Sequence, residues 1–247
     1  MTYCIGLRLK DGLVMLSDTR TNAGLDNIAT FGKMHLFEQP GERMIALMTS
    51  GNLGVSQAVL SLLADGVETP ASGKAETLYS VPSMFRAAQL VSEAVRQVFT
   101  IHGEAMQAQG ITYDIGMMLG GQIKGRSMRL YQIYSAGNFI ETTEDTPFLQ
   151  LGEHKYGKPI LDRAVTYDVH LYDGIKLALI SMDSTLRSNL SVGLPLDLLV
   201  YKRDALRTDI RRRITEDDPY FRHVREYWSS ALREAYQRLP RPDWARE

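Results

Sequence analysis

The sequence predicts an α+β domain built in layers. Three observations carry this: the first fifty residues alternate with the period of strands, the middle of the chain follows the period of helices, and strand patterns return from Tyr113. From Thr2 to Leu9, Tyr3, Ile5, Leu7 and Leu9 share one face while Thr2, Cys4, Gly6 and Arg8 share the other. Lys10-Asp11-Gly12 has turn chemistry and Leu13 to Arg20 resumes a strand, which makes a hairpin. A two-residue turn would set Asp18 against Ile5 on the apolar face. A three-residue turn with Gly12 in the left-handed region instead pairs Leu9 with Leu13 and Leu7 with Met15, and is the expected register. It places Thr2 opposite Arg20, with Asp18 one diagonal step away, within about 8 Å. A third strand is predicted around Phe31 to Phe37, carrying Lys33, and a fourth from Arg43 to Ser50, ending at Ser50-Gly51-Asn52.

Helices follow. Val55, Ala58, Val59, Leu62 and Leu63 keep the i, i+3, i+4, i+7, i+8 spacing of one buried stripe. Ala87, Leu90, Val91, Ala94, Val95, Val98 and Phe99 repeat it in a longer helix introduced by Ser80 to Ser83, with Pro82 near its start. Strand patterns return at Tyr113 to Ile123, Arg129 to Ser135 and Phe139 to Thr142, the first two joined at Lys124-Gly125. A helix is expected from after Asp173 to about Ser184, and Leu196 to Tyr201 reads as a closing strand. Asp217-Asp218-Pro219 supplies a cap and a first-turn proline for a terminal amphipathic helix carrying Phe221, Val224, Trp228, Ala231, Leu232, Ala235 and Leu239. No Pro-, Gly- or Ser-rich linker and no repeat divides the chain. Residues 1–216 are therefore expected to form one layered domain, and 217–247 a helical extension whose apolar face contacts another subunit.

Composition narrows the function classes. A chain of 247 residues, 44% hydrophobic and 23% charged, is that of a packed globular protein. With 28 basic and 29 acidic residues it has no global positive field to hold nucleic acid. Apolar runs such as Leu177 to Met182 are far shorter than a membrane span, and no export signal opens the chain, so a cytoplasmic location is expected. The single cysteine, Cys4, cannot form an internal disulfide or a thiolate zinc site, and reads as a small packed residue. The five histidines lack metal-ligand spacing and read as ordinary surface or loop residues. Gly120-Gly121 and the stretch Gly51 to Gly54 match no phosphate-binding pattern, and the former pair is expected in a turn between strands. No cofactor or metal is called for.

Thr2 stands apart. Loss of Met1, favoured when the second residue is small, leaves a threonine whose own α-amino group can accept the hydroxyl proton. Such a site needs a cation, a carboxylate to hold it and backbone N–H groups for an oxyanion, and Lys33, Asp18 and Gly51 are the candidates. Replacing Lys33 by alanine is expected to stop turnover at little cost in folding.

These residues sit in a familiar pattern. The opening TYCIGLRLKDGLVMLSDTR, then FGKMHLF and SGN, resembles the β-type subunits of the proteasome superfamily; QLGEHKYGKPILDR, SMDSTLRSNLSVGLPLDLLVY and the terminal helix are most similar to its bacterial branch called Anbu. The resemblance spans nearly the whole chain. It implies a four-layer αββα sandwich of the amino-terminal-nucleophile hydrolase type and a threonine peptidase acting on peptides or unfolded protein in a homo-oligomer. By the same resemblance Thr2 is the nucleophile, Asp18 and Lys33 the tuning pair, Arg20 a structural neighbour and Gly51 the oxyanion residue. Asp183, with Ser188 or Ser191, would complete the polar shell around the α-amino group. The chain departs from the family in reading Gly152-Glu153-His154 where a serine between glycines usually positions water, and in its longer spacing after Asp183. An amidohydrolase of small molecules on the same fold, or a non-catalytic assembly subunit, are the alternatives. The absence of a helical extension before the first strand argues against an α-type subunit.

Overall fold

The computed structural model describes residues 1–22, 28–68 and 73–244. Strands β1 (Tyr3–Leu9), β2 (Gly12–Asp18), β3 (Arg20–Asn22), β4 (Ile28–Thr30), β5 (Met34–Gln39) and β6 (Arg43–Gly51) lead into helix α1 (Leu53–Asp65). After the short β7 (Val67–Glu68) and β8 (Ala75–Glu76), helix α2 (Met84–Ala108) precedes β9 (Ile115–Ile123), β10 (Arg129–Ile133), β11 (Phe139–Glu141) and β12 (Phe148–Gly152). Helices α3 (Lys158–Ala164) and α4 (Leu171–Ser188), strands β13 (Leu196–Lys202) and β14 (Ile210–Ile214), and helix α5 (Pro219–Gln237) complete the chain.

Two five-stranded antiparallel sheets organise these elements, in the orders β12-β1-β2-β13-β14 and β11-β10-β9-β6-β5. Alternation along each strand decides which core a side chain enters. Cys4, Leu13 and Met15 of the first sheet meet Met44, Met48 and Met118 of the second in one core, where unbranched thioethers fill the gap between strands. The alternate residues Tyr3, Ile5, Leu7, Val14 and Leu16 pack on Leu161 of α3, Leu179 and Met182 of α4 and Phe221 and Val224 of α5. On the second sheet Ile45, Leu47, Met117 and Leu119 pack on α1 and α2.

The first hairpin corrects the expected register. It closes over Lys10-Asp11, with Leu9 opposite Gly12, Leu7 opposite Val14, Ile5 opposite Leu16 and Cys4 opposite Ser17. Both faces of β1 and β2 are buried, so apolarity does not separate registers one residue apart. What Gly12 supplies is room: a Cβ there would lie 2.0 Å from the Tyr201 carbonyl oxygen of β13. Gly120-Gly121 lies inside β9 and not in a turn, leaving space above Gly120 for the Met15 sulfur. His35 is likewise no loop residue but a half-buried member of β5, paired with Leu47, where burial lowers its pKa.

Other expectations shift by less. The strand carrying Lys33 begins one residue after it, and α4 begins before Asp173, which falls in its first turn. The strand expected to close the sheet, β13, lies inside it, between β2 and β14. Terminal helix α5 starts as expected, with the Asp218 side chain accepting from Phe221 N and Pro219 in the first turn. Its first half covers its own domain through Phe221 and Val224, whereas Leu232 in its second half and Leu239 just beyond it are exposed.

Candidate active site

At one end of β1, side chains from separate elements converge on a cavity of 340 Å³ lined by Met1, Thr2, Lys33, Thr49, Gly51 and the start of α1. Thr2 is buried, and its carbonyl oxygen accepts from Glu153 N at 2.8 Å, extending the β1–β12 ladder by one step. Lys33 is placed by the chain on both sides of it: Phe31 N donates to Thr19 O at 2.8 Å, and Thr49 N donates to Lys33 O at 3.0 Å. The backbone thus aims the lysine without a strand of its own.

Lys33 Nζ donates to Asp18 Oδ1 at 2.6 Å and to Arg20 O at 2.7 Å. Asp18 is fully buried; Oδ1 also accepts from Tyr3 N at 3.0 Å, and Oδ2 from Gly193 N at 3.4 Å. Burial pushes the Asp18 carboxyl up, while the Lys33 charge and the two amide donors oppose it. The lysine is therefore held by a carboxylate that has no solvent to lean on. Arg20 bonds Leu190 O at 2.7 Å and lies against Gly193, so it shapes the loop that donates to Asp18.

Gly51 ends β6 at φ +96°, and a Cβ there would lie 2.3 Å from Asp114 O, so the turn into the cavity wall requires glycine. Asn52 then caps α1, its Oδ1 accepting from Val55 N at 3.2 Å. The amides of the first turn of a helix lack intrahelical partners and carry its positive end. The wall facing Thr2 is therefore suited to a developing oxyanion. Among the described residues no group of three or more His, Cys, Asp or Glu side chains is gathered as for a metal ion.

Several solved structures share this fold. An Anbu complex from Pseudomonas aeruginosa, described as a helical assembly, is 49% identical, with 99% of this chain and 100% of that one covered and a TM-score of 0.91. Anbu from Yersinia bercovieri, described as an ancestral beta-subunit, is 47% identical over 99% and 100% of the two chains, at 0.90. A Gly-1 mutant of Anbu from Hyphomicrobium sp. strain MC1 is 48% identical over 98% and 100%, at 0.89. The chain belongs to the Anbu family. No protein-family model and no curated protein matches it.

In this Anbu-family chain the structure gathers Thr2, Asp18, Lys33 and Gly51, with Arg20 beside them, keeps Ser191 in the loop between Leu190 and Gly193 that adjoins Asp18, and takes Asp183 and Ser188 elsewhere. The oxygens of Asp183 go to Arg187 Nε at 3.0 Å and Arg225 Nε at 2.8 Å, tying α4 to α5. Ser188 is exposed at the end of α4, and Ser191 N donates to Asn189 Oδ1 at 2.9 Å in the following loop. Sequence reasoning missed the amides of Tyr3 and Gly193, since a backbone donor leaves no residue-type signal. Glu153, noticed only as a departure, is the cross-strand neighbour of Thr2; its Oε2 is buried without a hydrogen bond, with Lys155 Nζ 3.8 Å away. Burial pushes the Cys4 thiol up, leaving a poor nucleophile among methionines. No helix among the described residues is long and apolar enough to cross a membrane.

Proposed function

We propose that the chain is a threonine peptidase of the amino-terminal-nucleophile type, its nucleophile Thr2 exposed by removal of Met1, working in a homo-oligomer. The observation that carries this reading is the buried Lys33 ammonium, fixed 2.6 Å from Asp18 and lining one cavity with Thr2. A cation placed there lowers the proton affinity of groups beside it and favours a basic, neutral amine near neutral pH. The three cores, helix against sheet, sheet against sheet and sheet against helix, support the αββα reading of the fold.

In the proposed cycle the α-amine of Thr2 takes the hydroxyl proton as Oγ attacks a peptide carbonyl carbon. The Gly51 N–H and the α1 terminus stabilise the oxyanion. Collapse breaks the C–N bond, and the ammonium passes its proton to the departing amine, leaving a Thr2 ester. Water, deprotonated by the same amine, attacks the ester, releases the carboxylic acid and restores the hydroxyl.

The test is peptide hydrolysis by three purified chains: one lacking Met1, one retaining it and Thr2→Ala. The first should turn over peptides. The second should fold and be inert, because its amine is an amide, and Thr2→Ala should match it. Equal hydrolysis by all three would refute the reading.

A further inference from the structure

A second cavity, of 450 Å³, adjoins the first and shares Asn52 and Gly54 with it. The two differ in chemistry. Around Thr2 the walls carry hydroxyls, an ammonium and helix amides; beyond Gly54 they are formed by Val55, Ala105, Met106 and Ile111, with His102 and Gln109 alongside.

The ridge between them is low for local reasons. Asn52 spends its side chain as the α1 cap, and its own N–H donates to Asp114 O at 2.8 Å, so it is folded back onto the protein. Gly54 is exposed and offers no side chain to divide the two spaces. The far wall is equally fixed. The end of α2 closes with Ile111 N donating to Met106 O at 2.9 Å, which sets Ile111 beside Met106, and Met106 packs on the helix–sheet core. Ile111 remains 48% exposed, an apolar surface with nothing upon it.

We infer that this cavity is a second subsite of the Thr2 centre, which takes a large aliphatic side chain flanking the scissile bond of an extended peptide. An extended chain advances about 3.3 Å per residue and turns successive side chains to opposite faces. A peptide whose carbonyl is held at Thr2 can thus cross the Gly54 ridge and lower a nearby side chain onto Val55, Met106 and Ile111. A substrate acidic at that position would instead place its charge on apolar carbon. This names a substrate class and rests on the peptidase reading, but peptide binding tests it without turnover.

The experiment uses the full Thr2→Ala chain, which cannot form the ester, and fluorescein-labelled heptapeptides of serine and glycine carrying one leucine moved through each position. Fluorescence anisotropy should show one leucine position binding at least about tenfold more tightly than its serine counterpart, the range expected for an aliphatic group entering an apolar site. Ile111→Asp, at a half-exposed position, should erase the gain, and Met106→Asp should do the same while Met106→Leu keeps it. Circular dichroism checks that each variant is folded. The inference is overturned if no leucine position outbinds serine, or if folded Ile111→Asp keeps the gain. If the gain appears and is lost on substitution while the chain lacking Met1 cleaves none of these peptides, the subsite stands and the peptidase reading falls.

Discussion

Two buried aspartates in this molecule do different work. Asp18 is fully buried and pairs with a lysine whose side chain is only 7% exposed; Asp183 is equally buried but pairs with Arg187 and Arg225, 52% and 31% exposed. At Asp183 the cations keep water, the carboxylate is a fastener between α4 and α5, and no cavity opens beside it among those described. At Asp18 both charges have left water, and the cation lines the space where Thr2 leads into β1. A buried ion pair is weak evidence of a site. A buried cation that lines one cavity with a hydroxyl-bearing residue is stronger.

The largest expected effect separates the two pairs. The sequence alone suggested that Lys33→Ala would cost little in folding; burial of both partners revises that to about 3–5 kcal/mol, because the change leaves an uncompensated buried carboxylate. The loss should depend on pH. Without Lys33, the main influence opposing burial is gone, so Asp18 is pushed further above its ordinary value of 3.8. A carboxyl with a raised folded pKa contributes its full stability below the unfolded value and loses it as pH rises through the folded one. Urea unfolding should therefore show the variant's deficit against the native chain widening as pH rises through the native Asp18 pKa, itself raised above 3.8, and levelling off once Asp18 of the variant has lost its proton. A deficit below about 1 kcal/mol at every pH would mean that the pair is not shielded from water.

Asp183→Asn should cost less, about 2 kcal/mol, since both arginines can return to solvent while the amide keeps part of the hydrogen bonding. Peptide turnover per folded molecule should be unchanged. Loss of turnover in a folded Asp183→Asn chain would restore Asp183 to the catalytic group. Smaller still is Arg225→Ala, about 1 kcal/mol or less for a partly exposed pair. It should loosen α5 and show as faster amide exchange across 219–237, with exchange in β1 unaltered. Equal acceleration in both places would deny that the two regions are separable.

The comparison also explains what could be read in advance. The alternation Tyr3, Ile5, Leu7, Leu9 and the stripes of α1 and α2 are strong periodic signals, and β1, α1 and α2 lie where they point. The hairpin register escaped because β1 and β2 are apolar on both sides, and β14 escaped because Ile210-Arg211-Arg212-Arg213-Ile214 is an edge strand with exposed arginines that lacks an apolar run. The grouping of Thr2, Asp18 and Lys33 was legible because it rests on side-chain type and chain position, and Gly51 was legible as a glycine at a strand end. Asp183 was misplaced because an acidic residue near serines looks the same in sequence whether it faces a cavity or a neighbouring helix. Only the positions of Arg187 and Arg225 tell the two apart.

The central claim is that Thr2 becomes a nucleophile only when its own amine is free. A peptide epoxyketone, which needs both hydroxyl and α-amine to form its ring, tests that directly by mass spectrometry of the labelled chain. The account predicts a single adduct on Thr2 in protein lacking Met1 and none in protein retaining it. Labelling of both forms alike, or an adduct on any other residue with Thr2 untouched, would contradict it.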